Sequence, residues 1–151
     1  MKLVVQRVLK AGVTVSGRVI SSIGPGALIL IGVAKGDTSA DAAFLARKAS
    51  QLRIFDDEQG RMNLAMGAVR GAFLVVSQFT LYGDCAGGNR PSYTEAAPPE
   101  EARRLYEEFA GVLRSFGHEV QTGEFRENMQ VDLVNDGPVT LLMESRGRTA
   151  P

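Results

Sequence analysis

Cysteine is almost missing from this chain. Cys85 stands alone, so no internal disulfide can form. A lone thiol fits a reducing compartment. Histidine is as scarce, with only His118. The two lie far apart in sequence, so a Cys–His pair would have to be made by the fold. No sign of charge dominates: 17 basic and 17 acidic side chains cancel. That balance argues against coating nucleic acid by bulk electrostatics, and DNA is not an expected partner. It leaves room for a protein that grips only the end of an RNA. No apolar run approaches the ~20 residues of a membrane span. The opening Met1-Lys2-Leu3-Val4-Val5-Gln6-Arg7 meets charge too early for a secretion signal. These absences predict a soluble cytoplasmic protein that avoids membranes. Repeats, linkers and low-complexity tracts are missing too. The 151 residues are expected to form one domain, with Arg146 to Pro151 as a frayed tail.

What is present centres on Ala72 to Asp84. Phe73-Leu74-Val75-Val76 has no helical spacing and reads as a strand buried on both faces. Ser77-Gln78-Phe79-Thr80 then adds two hydroxyls and an amide to the same strand, and Gly83-Asp84 ends it. Polar groups late in a core strand need partners, at about 1–3 kcal/mol each if left unmade. They either bond to neighbouring backbone or form a site at the strand end.

Upstream, Lys2 to Val8 alternates and reads as a strand. Val13 to Ser16 and Arg18 to Ile20 flank Gly17 as a hairpin, and Ala27 to Val33 is a buried strand. Gly36-Asp37-Thr38-Ser39 supplies helix-capping chemistry. Ala42, Leu45, Ala46, Ala49 and Leu52 then recur at helical spacing, predicting a helix over 40–52. Arg53 to Phe55 and Arg61 to Leu64 read as strands around the acidic turn Asp56-Asp57-Glu58-Gln59-Gly60. Paired acids invite a metal, but no third ligand type recurs at useful spacing, so a solvated hairpin tip is expected. Neither metal nor cofactor is predicted.

Downstream, Cys85 to Pro91 is a glycine-rich loop of the kind that carries function on a rigid scaffold. Pro98-Pro99-Glu100-Glu101 opens a second helix. Its buried face is expected to be Ala102, Leu105, Tyr106, Phe109, Val112, Leu113 and Phe116, with Gly117 just past its end. His118 to Thr122, Met129 to Val134 and Val139 to Ser145 read as closing strands. The count is about nine strands and two main helices. The predicted class is α+β, a curved, mostly antiparallel, barrel-like sheet with two helices packed on it.

A second polar cluster, Asn135-Asp136-Gly137-Pro138-Val139-Thr140, sits between two apolar runs. All four of its leading residue types favour a β-turn. Glycine also lets a backbone approach a ligand closely, and a Gly-Pro bond can be cis.

Together, Ser77-Gln78-Phe79-Thr80-Leu81 and Asn135 to Thr140 resemble the paired signatures of the D-aminoacyl-tRNA deacylases. The resemblance spans nearly the whole chain. It includes Gln6-Arg7-Val8, Leu52 to Phe55, Met62-Asn63-Leu64, Gly88 to Ser92 and Thr122-Gly123. Phenylalanine at 79 resembles the bacterial and general eukaryotic branch rather than the animal branch, which usually has alanine. One departure is Arg126-Glu127-Asn128, where the family more often shows Gly-Ala-Asp.

The resemblance implies hydrolysis of the ester between a D-amino acid and the terminal ribose of tRNA, and removal of glycine mischarged on tRNA-Ala. It implies a site built from Ser77, Gln78, Phe79 and Thr80. It further implies a cis Gly137-Pro138 bond that reaches, with Asn135 and Thr140, into the pocket of a homodimer partner and excludes L-amino acids. Arg7, charged on an otherwise apolar strand, would hold that dipeptide's carbonyls, unless it is merely a surface arginine. Arg90 is the candidate contact to the tRNA acceptor end. The residues suit such chemistry. An aminoacyl ester is already activated, so a fixed ester, a stabilised oxyanion and a placed water suffice without a triad. Two rivals remain. One is a metal- or cysteine-dependent hydrolase; the other is a non-catalytic RNA-binding module of the same fold.

Overall fold

The computed structural model describes residues 1–146. The chain runs β1 (Lys2–Val15), β2 (Arg18–Ile23), β3 (Gly26–Gly32), α1 (Ser39–Gln51), β4 (Phe55–Asp56), β5 (Met62–Leu64), a single helical turn α2 (Met66–Val69) and β6 (Ala72–Ser77). A 3-10 turn (Phe79–Tyr82), α3 (Pro99–Ser115), β7 (Glu119–Thr122) and β8 (Met129–Glu144) complete it. The main sheet has the order β2-β1-β3-β6-β7, with β8 on the other side of β1. β1 pairs antiparallel with β2, β3 and β8, whereas β3–β6 and β6–β7 are parallel. The sheet is therefore mixed, nearly closed and barrel-like, with its parallel strands β3, β6 and β7 at one end of the strand order.

The parallel pairing of β3 with β6 follows from composition. β3 and β6 carry no charged residue and are covered on both faces, as parallel strands require. Ala27, Ile29, Ile31, Phe73 and Val75 pack in one apolar cluster with α1 and α3. Leu28, Ala72, Leu74 and Val76 pack in a second cluster on the opposite face with β1 and β2. The chain comes very close at Gly26, which pairs with Ala72. A Cβ on Gly26 would lie 1.9 Å from the Ala72 carbonyl oxygen.

Both long helices form where the apolar spacing predicts. Thr38 caps α1, its N–H and hydroxyl both donating to Asp41 at 2.8 Å. Pro99 opens α3, and Leu105, Tyr106, Phe109, Ala110 and Leu113 are buried. Phe116 departs from expectation at 47% exposed, because the helix has already ended at Ser115. No helix among the described residues is long and apolar enough to cross a membrane.

Three expectations need correction. The strands expected at Lys2–Val8 and Val13–Ser16 are one strand, β1, and those expected at 129–134 and 139–145 are one strand, β8. The described residues form eight strands, against the count of about nine expected. The reason is that both long strands absorb extra residues as bulges instead of turning. Opposite β8, the register passes from Val8↔Asn135 to Lys10↔Val134, leaving Leu9 as an added residue. It also passes from Gln6↔Thr140 to Val8↔Asn135, so Asp136 to Val139 loop out of β8 facing Arg7. Finally, β6 stops at Ser77, and Phe79 and Thr80 belong to the 3-10 turn rather than to the strand. Of the expected frayed tail, Arg146 is described, its Nε 3.5 Å from Asp37. Residues 147–151 lie outside the described residues.

Candidate active site

At the C-terminal end of β6 the sheet opens into a cavity of about 800 Å³. Ser77, Gln78 and Phe79 line one side of it, and Leu28, Leu30, Val131 and Leu133 supply apolar wall. The backbone reason is the switch from strand to 3-10 turn. The Gln78 N–H donates to the Ile31 carbonyl at 2.8 Å, and the Leu81 N–H donates to the Gln78 carbonyl at 3.3 Å. The N–H groups between them, of Phe79 and Thr80, donate to no acceptor among the described residues. Two orphan donors at the start of a helical turn are a ready anion cradle. Thr80 is exposed and its hydroxyl accepts a hydrogen bond from the Gln78 amide. Thr80 is not part of the cavity lining.

The second polar cluster is held by a network that sequence alone does not display. Asn135 Nδ2 donates to the carbonyls of Arg7 at 2.9 Å and Val139 at 3.0 Å, closing the neck of the loop. Thr140 Oγ1 donates to Asn135 Oδ1 at 3.3 Å and accepts from Gln6 Nε2 at 3.2 Å. Gln6 in turn lines the cavity. Gly137 and Pro138 are exposed at the loop's tip, their peptide bond is cis, and Gly137 has φ +120°. Neither lines this chain's own cavity.

Arg7 is buried, which removes the surface-arginine reading. Its Nη1 donates to the Ile54 carbonyl at 2.8 Å and reaches Asp56 at 3.3 Å. Its Nε lies 3.1 Å from the Asp136 carboxylate and 3.3 Å from the Asp136 carbonyl. The carbonyl it holds is thus that of Asp136, just before the dipeptide. Arg90 is exposed in the 84–95 loop and meets no partner among the described residues. That loop is pinned by reciprocal Asp84–Ser92 backbone bonds of 2.7 and 2.9 Å. Cys85 is exposed just past the 3-10 turn, whereas His118 packs edge-on against Phe73 at the far end of β6. The fold therefore keeps thiol and imidazole apart. Among the described residues no group of metal-ligating side chains converges.

Sequence reasoning missed the aromatic walls. Tyr93 lines the cavity and meets Phe79 edge to face at 5.1 Å. Phe125 lines it from the segment before β8, beside Arg126, Glu127 and Asn128. Arg126 adopts a left-handed φ of +69°. That conformation suits glycine, the residue the resembled pattern more often has there. Aromatic residues in polar loops were the available signal.

The D-Tyr-tRNA(Tyr) deacylase family model matches residues 4–144. The chain is 55% identical over 147 residues to the D-aminoacyl-tRNA deacylase of Heliobacterium modesticaldum, covering 97% of this chain and 98% of that protein. It is 57% identical over 146 residues to the D-aminoacyl-tRNA deacylase of Anaeromyxobacter dehalogenans, with the same coverage. A solved structure titled c-Myc DNA Unwinding Element Binding Protein superimposes with a TM-score of 0.90 at 40% identity, over 95% of this chain and 98% of that one. One titled as a probable eukaryotic D-amino acid tRNA deacylase superimposes at 0.81 with 14% identity over the same shares, a likeness of fold. By family model, relatives and fold alike, this chain belongs to the D-Tyr-tRNA(Tyr) deacylase family.

Proposed function

We propose that this protein hydrolyses the ester joining a D-amino acid to the terminal ribose of tRNA, releasing free amino acid and tRNA. The observation that carries the reading is the pair of unsatisfied N–H donors of Phe79 and Thr80 beside an open cavity, in a chain of a deacylase family. Water adds to the ester carbonyl, and the oxyanion that forms accepts from those two N–H groups. The C–O bond to ribose then breaks and the ribose oxygen takes a proton. The neighbouring ribose hydroxyl assists, so the protein supplies geometry more than acid–base power. Gln78 and Thr80, tied by their mutual hydrogen bond, position the ester and its water. Covalent catalysis by Thr80 or Ser77 ranks below this, because neither hydroxyl has a basic partner among the described residues.

Selection against L-amino acids is proposed to act by exclusion. In a homodimer, the Gly137-Pro138 loop of one protomer enters the partner's cavity and its backbone blocks an L side chain. Two observations support this. The loop stands exposed at its tip yet is firmly held by Arg7 and Asn135, and it does not serve its own cavity. Glycine, with no side chain, passes such a wall, so glycyl-tRNA-Ala is also a substrate. Arg90 is proposed to touch the acceptor end, and the protein to work in the cytoplasm where its substrate lies.

The test compares hydrolysis of D-Tyr-, L-Tyr- and glycyl-tRNA by the purified protein. Release from the D and glycyl esters with the L ester spared is expected. Binding without release would favour the RNA-binding module, and equal cleavage of D and L would end the exclusion account.

A further inference from the structure

A second cavity, of about 260 Å³, lies between α3 and the segment that follows β7. Arg103, Glu107 and Arg114 border it from α3, and Thr122, Glu124 and Phe125 from the other side. Phe125 lines both this cavity and the larger one at the end of β6, so the two are neighbours across this residue.

Two of the charges at this cavity have no ionic partner among the described residues. Arg104, next in sequence, is paired with Glu108. Among the described residues neither Arg103 nor Arg114 forms an ion pair, although carboxylates share their cavity. Arg114 donates one bond to the Val120 carbonyl at 3.1 Å. The Arg103 guanidinium lies over the Phe125 ring at 5.1 Å. A guanidinium beside an aromatic ring is a combination on which unpaired bases stack.

A bare anion fits this cavity poorly, because two carboxylates face it. A nucleotide fits both signs. Its phosphate meets an arginine, while an exocyclic amino group, such as that of cytosine, donates to a glutamate. We infer that this second cavity holds the nucleotide preceding the esterified terminal residue of the acceptor strand, a cytidine stacked at Arg103 and Phe125. The inference rests on the proposed deacylase reading, and it places the two last nucleotides of the substrate in the neighbouring cavities that share Phe125.

The test uses three substrates: D-Tyr-tRNA, the D-tyrosyl ester of the dinucleotide cytidylyl-adenosine, and the D-tyrosyl ester of adenosine alone. A stacked base with a charged partner corresponds to roughly tenfold or more in affinity. The wild-type KM is therefore expected to be at least about tenfold lower for the dinucleotide ester than for the adenosine ester, with similar kcat. Arg103→Gln, on an exposed helix position, should close most of that gap and raise the KM for D-Tyr-tRNA. Arg103→Lys keeps the charge but loses the planar stack, and should recover only part of it. Equal wild-type KM values for the two small esters would overturn the inference, as would a gap left intact in Arg103→Gln. If the wild type cleaves none of the three, the deacylase reading itself fails and the cavity assignment with it. Cleavage of D-Tyr-tRNA with no change of KM in Arg103→Gln sinks the cavity assignment alone.

Discussion

Arg7 sits at 6% exposure between two elements that are remote in sequence. Its guanidinium spans the Ile54 carbonyl, Asp56 and Asp136. Both carboxylates are partly open to water, so solvent weakens each ion pair. Truncation still strips the buried carbonyl of its donor. Arg7→Ala is expected to destabilise by about 1–3 kcal/mol in urea unfolding. The loss of D-Tyr-tRNA hydrolysis should exceed what unfolding accounts for, because the loop at Asp136 to Val139 loses its anchor. Arg7→Lys should recover stability better than activity, since an ammonium cannot span the same fork. Thr80 offers a contrasting case. It is exposed, and its hydroxyl holds only the Gln78 amide. Thr80→Ala is expected to leave the melting temperature within a few degrees while lowering kcat by roughly tenfold or more, as a misplaced group does. A full-rate Thr80→Ala would make that hydroxyl structural.

Among the elements, the parallel contact of β3 with β6 limits the fold most sharply. Gly26 faces Ala72 so closely that a methyl group would overlap backbone, which cannot swing away as a side chain can. Gly26→Ala is expected to destabilise by about 3 kcal/mol or more, read as a lower urea midpoint or as insoluble protein. Tyr106 ties α3 to the same strand, its hydroxyl donating to the Val75 carbonyl at 3.0 Å. Burial pushes that phenol up to about 12, so it stays protonated and a donor across the physiological range. The strand end, the helix and the segment carrying Phe125 are thus fastened near one point. This is why a chain of loops can hold a defined cavity.

At the scale of the whole molecule, His118 is one source of the pH response. Burial holds the His118 pKa below its ordinary value. The folded state then prefers neutral imidazole, and the unfolded state binds the proton more tightly. The His118 contribution is complete above about pH 6.5, the ordinary value, and is lost as pH falls from there through the lowered folded value. His118→Gln should flatten the stability profile below about pH 6.5, measured by denaturation across pH. His118 is at the opposite end of β6 from Ser77, so the same variant should leave the pH profile of catalysis alone. The proposed chemistry also asks for neither metal nor thiol. Chelation and Cys85→Ser are each expected to leave the rate unchanged, and a loss in either would revive the metal or cysteine rival.

Local physics acts over a few residues, and what it governs was legible in the sequence. The unbroken apolar run at 73–76 marked the doubly covered strand, and helical spacing marked α1 and α3 to within about one residue. The two polar signatures carried the family, because their chemistry is written in contiguous residues. What needed tertiary structure was everything set by pairing at long range. Only the register of β1 against β8 turns an apparent β-turn at Asn135 to Thr140 into a loop braced by Arg7, about 130 positions away. Only the packing of loops brings Tyr93 and Phe125 to the cavity, since neither has a neighbour in sequence that foretells its partner. Strand partners and bulge positions depend on which distant surfaces can be buried together, and that choice is made by the whole chain at once.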